Sequence, residues 1–293
     1  MRLALQYIIA GISQGSLYVL VALGIVLIYR SSRVLNFAHG DVTTAGAFGA
    51  VFFVMVGFPW WLAMSLGLLF GAGISVLFYF GILVPAQRRD ATRLGQIILT
   101  LGFALVIQGL VLRFGDTEPQ TFPFFISDTK VFDVGGIIIS HLSLGAFGAG
   151  IAGSLIFYLL VQKTRLGLAM RATSENLQAA QTLGLPTRGI LAFSWGLAAL
   201  LGTLAGFFLA ASLLIDPFYM LEPFLKGFAA AILGGLNSLP GAVAGGLILG
   251  VAEALAGGFI SVAFKNTLAF LIIIVVLLFR PEGLLGSEFV ERI

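Results

Sequence analysis

Apolar residues in this chain form long runs and do not alternate with polar residues. One crossing of the hydrocarbon core takes about 20 apolar residues, and lipid offers no hydrogen bonds to a backbone, so such runs are expected to be helices. Two of the runs, 224–236 and 267–279, are too short to cross alone and predict half-helices or the ends of longer helices. The full set covers residues 4–29, 42–57, 60–84, 95–112, 141–162, 189–214, 224–236, 241–263 and 267–279.

The composition indicates which class of protein has this pattern. Of 293 residues, 59% are hydrophobic and 10% are charged, whereas a soluble domain is about 45–50% apolar and about 25% charged. The chain is therefore expected to be an all-α polytopic membrane protein, with about eight to ten transmembrane helices in one domain, 1–293. With no cysteine, a disulfide scaffold is excluded. The net charge of +3 calls for no nucleic acid, because basic residues collect in cytoplasmic loops for topological reasons.

The distribution of charge predicts which loops face the cytoplasm. Segment 87–94 has three basic residues against one acidic, a net +2, and segment 163–188 has four against one, a net +3. Between them, segment 114–140 has one basic residue against four acidic, a net −3. One span separates each segment from the next, so the two basic segments are predicted to be cytoplasmic and the acidic one external.

Glycines four residues apart recur along the runs. Small residues at this spacing let helices approach closely, so the set predicts a compact bundle. The pairs are Gly11/Gly15, Gly67/Gly71, Gly202/Gly206, Gly241/Gly245 and Gly246/Gly250.

The basic segment 163–188 is longer than a simple turn requires. It reads as a short amphipathic helix that Thr173 or Ser174 caps and that ends near Gly184. Ala179 and Ala180 would give it a small, flat face suited to a partner's groove. An ordinary basic loop that fixes topology remains the alternative.

Four strings together resemble the branched-chain amino acid permeases of the LivH type, a family of ATP-binding-cassette (ABC) import permeases. They are RATSENLQAAQTLG at 171–184, NFAHG at 36–40, GGLNSLPG at 234–241 and RPEGLLG at 280–286. The first is similar to the Glu-Ala-Ala-x3-Gly coupling loop of ABC importers, with Gln178 in place of the glutamate. The resemblance covers nearly the whole chain in order and spacing.

The resemblance implies an ABC importer permease fold and half of a path for branched-chain or other apolar amino acids. Its implied partners are a second permease of the LivM type, two ATPases of the LivG/LivF type and a periplasmic binding protein, with the permease in the inner membrane. None of the four lysines follows a glycine, so no phosphate-binding P-loop is present, and ATP and Mg are expected on the partner subunits. The implied coupling residues are Arg171, Glu175, Asn176, Gln178, Ala179, Ala180 and Gly184.

Two stretches are candidates for the translocation path. In 30–41, a helix break would place polar residues along the path, since irregular backbone at membrane depth is tolerated only where protein buries it or water reaches it. The alternative is a short loop whose Asn36 or Asp41 caps the next helix. Segment 234–241 is a possible counterpart in the second half. The candidate residues are Asn36, His39, Asp41, Gly234, Gly235, Asn237 and Glu253.

Glu253 lies near the middle of a run, where an ionisable group indicates function by default. An interhelical hydrogen bond would satisfy it equally well. Two histidines far apart and no cysteine support no metal site, and no constellation of an intramembrane enzyme is recognisable. A stand-alone secondary transporter or channel remains the rival function, and urea, amides or aromatic acids remain possible substrates.

Overall fold

The structure is a computed structural model that describes residues 2–115, 118–126, 128–261, 264–280 and 282–286. Asp116 of the acidic segment and Pro281 of the C-terminal string lie outside these residues. The helices are α1 Arg2–Ser32, α2 His39–Met55, α3 Trp60–Phe78, α4 Val84–Arg88, α5 Arg93–Phe114, α6 His141–Lys163, α7 Arg165–Glu175, α8 Leu177–Thr182, α9 Thr187–Leu213, α10 Leu221–Gly234, α11 Leu239–Phe259 and α12 Phe264–Phe279.

Six helical segments in the described residues are long and apolar enough to cross a membrane. They are α1, α5, α6, α9, α11 and the segment Trp60–Arg88, in which a π-helical turn at Tyr79–Leu83 joins α3 to α4. Helices α2, α10 and α12 are shorter, with 17, 14 and 16 residues. The predicted class, a helical membrane protein with broken or half-length helices, is confirmed.

Helix α1 is the centre of the bundle. It packs against α6, α9, α10 and α11. Its closest approach is to α11, where a Cβ placed on Gly15 would lie 2.8 Å from the carbonyl oxygen of Gly246. The glycine pairs at 11/15 and 246/250 therefore face each other, and the predicted close packing through small residues is confirmed.

Helices α2 and α3 form a hairpin closed by residues 56–59. Trp60 at the start of α3 stacks on Phe125, with ring centroids 4.4 Å apart. This contact brings the hairpin turn to the same end of the molecule as the acidic segment. That this end faces the exterior stays a prediction from the charges.

A short antiparallel hairpin precedes α6 and was not predicted. Its strands, β1 Val131–Val134 and β2 Ile137–Ser140, are joined by Gly135 and Gly136, both with positive φ. Gly-Gly between β-branched residues is a known hairpin signal. The signal was therefore available, although in the sequence it stood beside much longer apolar runs.

Candidate functional site

The helix break between α1 and α2 lies deep in the bundle. Gly24 of α1 contacts His39, the first residue of α2, since a Cβ on Gly24 would lie 2.7 Å from Cε1 of His39. Gly24 precedes the end of α1 at Ser32 by eight residues, which is about 12 Å along the helix. Segment 33–38 therefore runs back beside α1 before α2 begins, and the predicted helix break is present.

Protein groups satisfy the irregular backbone of this break. The hydroxyl of Thr100, fully buried on α5, accepts a hydrogen bond from the Phe37 N–H at 3.2 Å. The side-chain oxygen of Asn36 accepts one from the Ala38 N–H at 3.1 Å. Such satisfaction is what non-helical backbone needs at membrane depth. Sequence reasoning missed this structural contact of Thr100, because a lone threonine in an apolar run carries no distinguishing signal.

The alternative reading of this stretch, in which Asn36 or Asp41 caps the next helix, is wrong. The cap position of α2 is Ala38, and no side chain caps it. Asn36 instead bonds within the loop, and Asp41 lies in the first turn of α2.

His39 is packed inside the protein and does not line an open space. It is 1% exposed and lies between Gly24 of α1 and Gly202 of α9, whose added Cβ would lie 2.8 Å from Nε2. Its ring centroid is 6.5 Å from that of Phe224 in α10. His39 therefore fixes the start of α2 against three helices and lies behind the groove described next.

A groove of about 510 Å³ lies beside the break, between α2, α5 and the start of α10. Most of its lining is apolar. The polar side chains on it are Asp41 and Thr44 of α2 and Gln108 of α5. Among the predicted path residues, Asp41 is the one that the structure places on this surface. Gln108 and Thr44 were not singled out from the sequence.

The first turns of α2 and α10 meet at this groove. A Cβ on Gly40 would lie 2.9 Å from Cβ of Phe224 and 3.5 Å from the carbonyl oxygen of Met220. Neither helix start, at Ala38 or at Met220, has a side-chain cap. Helix N-termini present N–H donors and partial positive charge, which attract anionic groups. The groove thus combines an apolar wall, one carboxylate and two helix starts.

Gly234, Gly235 and Asn237 do not lie on this groove. They lie at the other end of α10, against the C-terminal segment 282–286. The Leu284 N–H donates to the Leu233 carbonyl at 2.8 Å and the Leu285 N–H to that of Gly234 at 3.1 Å. Gly235 adopts φ +104°, a conformation for which glycine is suited. The sequence grouped this string with Asp41, but the structure gives it a role in joining α10 to the C-terminal segment.

Glu253 also lies away from the groove. It is 1% exposed, and its Oε1 lies 2.5 Å from Nζ of Lys226 on α10. The predicted placement of Glu253 on a path surface is therefore corrected to an ion pair between α10 and α11. Lys226 was missed, although Glu222 and Lys226 have the i, i+4 spacing of a helical ion pair.

Two short helices, α7 and α8, form the predicted coupling segment. Asn176 separates them, and its side-chain oxygen accepts from the Ala179 N–H at 2.9 Å. The prediction that Thr173 or Ser174 caps this helix is wrong, because both lie inside α7. Asparagine is favoured at the cap position because its side-chain oxygen can accept a backbone N–H of the first turn. Gly184 follows α8 with φ +78°, so the expected helix stop is present.

The outer face of α8 is open and partly apolar. Leu177 is 44% and Leu183 is 80% exposed, and Gln178 and Ala179 are exposed beside them. Ala180, by contrast, is 2% exposed, so its expected place on the docking face is corrected. Glu175 is exposed, and Arg171 reaches back to the side chain of Gln162 on α6 at 2.8 Å.

Comparison with known proteins identifies the family. Residues 7–277 match the family described as "Branched-chain amino acid transport system / permease component". This chain belongs to that family. It is 33% identical to the high-affinity branched-chain amino acid transport system permease protein BraD of Pseudomonas aeruginosa, over 99% of this chain and 98% of that protein. It is 31% identical to the corresponding LivH of Escherichia coli K12, over 99% and 97%.

More distant relatives agree with this assignment. A probable branched-chain amino acid transport permease LivH from Methanocaldococcus jannaschii is 30% identical, over 94% of this chain and 90% of that protein. Among solved structures, PsaBC from Streptococcus pneumoniae in complex with Fab gives a TM-score of 0.53 at 14% identity, covering 94% of this chain and 91% of that chain. That likeness concerns the fold alone. The predicted family, fold and role as a membrane-embedded permease component are confirmed.

Proposed function

We propose that this permease forms half of the translocation path for branched-chain or other apolar amino acids in an ATP-driven importer of the inner membrane. The relatives BraD and LivH are permease proteins of high-affinity branched-chain amino acid transport systems, which supports the substrate class. The partners we propose are a second permease of the LivM type, two ATPases of the LivG/LivF type and a periplasmic binding protein. ATP and Mg belong to the ATPases in this scheme.

The observation that carries the proposal is the groove at the starts of α2 and α10. An amino acid with an apolar side chain brings a carboxylate, an ammonium group and a hydrocarbon surface. The uncapped first turns of the two helices suit the carboxylate. Asp41 and Gln108 offer oxygen acceptors for the ammonium group, and Leu105 and Phe224 offer apolar wall.

The coupling part of the proposal uses the exposed face of α8. Two leucines beside small and polar residues suit insertion into a groove on a soluble subunit. Because α7 is tied to α6 through Arg171 and Gln162, and α8 leads into α9, displacement of this segment would be passed to spanning helices. Alternating access would then follow from partner ATPases closing on ATP.

Reconstitution tests this function directly. The chain is co-expressed with candidate ATPases and a candidate second permease from the same genome, purified as a complex and placed in vesicles with the binding protein outside and ATP inside. We expect labelled leucine uptake that requires ATP and every subunit. Uptake by this chain alone, driven by an ion gradient without ATPases, would establish the stand-alone transporter instead.

A further inference from the structure

Four charged side chains form a network on the side of α10 away from the centre of the groove. Lys226 Nζ lies 2.5 Å from Oε1 of Glu222 and 2.5 Å from Oε1 of Glu253. Lys265 Nζ of α12 lies 3.3 Å from the same Glu253 oxygen. Two lysines and two glutamates balance in charge. The network therefore joins α10, α11 and α12 with no net formal charge.

The centre of the network is buried and its edges are not. The side chains of Lys226 and Glu253 are 4% and 1% exposed, whereas those of Glu222 and Lys265 are 58% and 41% exposed. Lys226 also lies over the ring of Tyr18 on α1, with Nζ 5.9 Å from the centroid. Removing one member of a buried pair is strongly destabilising, yet replacing both by neutral groups of similar volume is often tolerated. Stability alone therefore does not require this pair.

The position of Lys226 on α10 links the network to the groove. At 3.6 residues per turn, Phe224 lies roughly 200° around the helix from Lys226, so the two side chains point to opposite sides of α10. Phe224 and Leu225 line the groove, and Phe224 contacts Gly40 of α2. The rotation of α10 about its axis that lets Lys226 pair with Glu253 is thus also the rotation that places Phe224 against α2.

We propose that Lys226 is a positioning residue for transport. Through Glu253 it fixes the rotation of the half-helix α10, and thereby the apolar wall that Phe224 and Leu225 give to the groove, without touching the substrate. The proposal rests on the function proposed above. It predicts that loss of the pair lowers the amount transported per ATP hydrolysed, because the groove is misplaced while α7 and α8 are unchanged.

The decisive variant is Lys226→Met/Glu253→Gln, which removes the buried pair but leaves Glu222 and Lys265 to balance each other. Lys130→Met is the control, since it removes one positive charge at an exposed site. Two quantities are measured on reconstituted complexes. One is amino acid taken up per ATP hydrolysed. The other is the maleimide labelling rate of Leu105→Cys, on the α5 wall of the groove, introduced into this cysteine-free chain.

We expect the double variant to assemble, to transport about tenfold less per ATP and to change the labelling rate at position 105 by roughly threefold or more, the scale of residues that act through coupling. Lys130→Met is expected to match the unmodified complex in both. An assembled double variant with both quantities unchanged would overturn the proposal. So would failure of the double variant to assemble, which would assign the pair to folding. If the unmodified complex shows no ATP-driven uptake, the proposed function fails, while the labelling rate still decides the positioning role.

Discussion

The two interrupted regions of this permease, 33–38 and 176–186, each contain an asparagine but differ in structure. The side-chain oxygen of Asn36 accepts the Ala38 N–H, and that of Asn176 accepts the Ala179 N–H. The first is enclosed by α1, α5 and α9, with Thr100 bonded to its backbone and His39 pressed against two glycines. The second is on the surface, and a Cβ on Gly184 would meet nothing within 4 Å. A helix break that the rest of the chain encloses helps to shape the interior of the protein, whereas a break on the surface is accessible to another subunit.

The largest effect on stability is expected from a larger side chain beside the enclosed break, where the packing leaves no space. In Gly202→Leu, the added Cβ alone would lie 2.6 Å from Oγ1 of Thr43 and 2.8 Å from Nε2 of His39. Overpacking of this kind costs about 1–3 kcal/mol or more, so we expect a clear fall in the melting temperature of the detergent-solubilised protein. Gly189→Leu on the same helix is the matched control, because its Cβ meets nothing within 4 Å. Equal melting temperatures for the two variants would contradict the enclosed packing.

In the open region, a large side chain should affect function and leave insertion of the protein unchanged. Gly184→Trp should leave membrane insertion intact but abolish substrate-stimulated ATP hydrolysis and uptake together, because a large side chain would clash with a docked ATPase. A cost of about 1–3 kcal/mol weakens docking roughly 5- to 150-fold.

Gly184→Ala separates size from backbone strain, since both variants must adopt φ +78°. We expect Gly184→Ala to retain more ATP hydrolysis than Gly184→Trp. Full ATP-dependent uptake by Gly184→Trp would show that this segment does not couple the permease to its ATPases.

A smaller effect is expected on the groove itself. Asp41→Ala should lower uptake by roughly tenfold while leaving assembly with the ATPases intact, because hydrogen bonds to a charged group contribute about 1.5–3 kcal/mol. Asp41→Asn keeps the shape and removes the charge, so it distinguishes an ammonium contact from a simple hydrogen bond. Normal uptake by both variants would remove Asp41 from the path.

The smallest effect concerns the backbone of the enclosed break. Thr100→Val keeps the volume of the side chain and removes the acceptor for the Phe37 N–H. Asn36→Ala removes the acceptor for the Ala38 N–H. A buried N–H left unsatisfied costs about 1–3 kcal/mol, so each variant should unfold at lower temperature and lose some uptake. Unchanged melting temperatures would show that water satisfies these groups.

Sequence reasoning predicted the features that long patterns encode. Runs of apolar residues predicted the helices, and the spacing of Gly11/Gly15 and Gly246/Gly250 predicted close packing, which the contact between α1 and α11 confirms. The break before α2 was predicted because NFAHG interrupts an apolar pattern with polar residues and glycine. These features depend on neighbours along the chain.

The features that were missed depend on partners distant in sequence. Thr100 gains its importance from Phe37, 63 residues earlier, and Lys226 from Glu253, 27 residues later. Gly234 and Gly235 were assigned to the path because they interrupt helices, but their contacts are with the C-terminal segment. Ala180 was expected on the outer face of its helix, since the sequence did not show that α8 starts at Leu177.

The central claim is that movement of the open segment at Gly184 changes the groove at Asp41. Gln108→Cys places a single thiol on the groove lining in a chain without other cysteines. In the reconstituted complex, we predict that its maleimide labelling rate changes when the ATPases are trapped with nucleotide, and that Gly184→Trp abolishes this change. A labelling rate that is the same with and without nucleotide, in a complex that transports, would contradict the account.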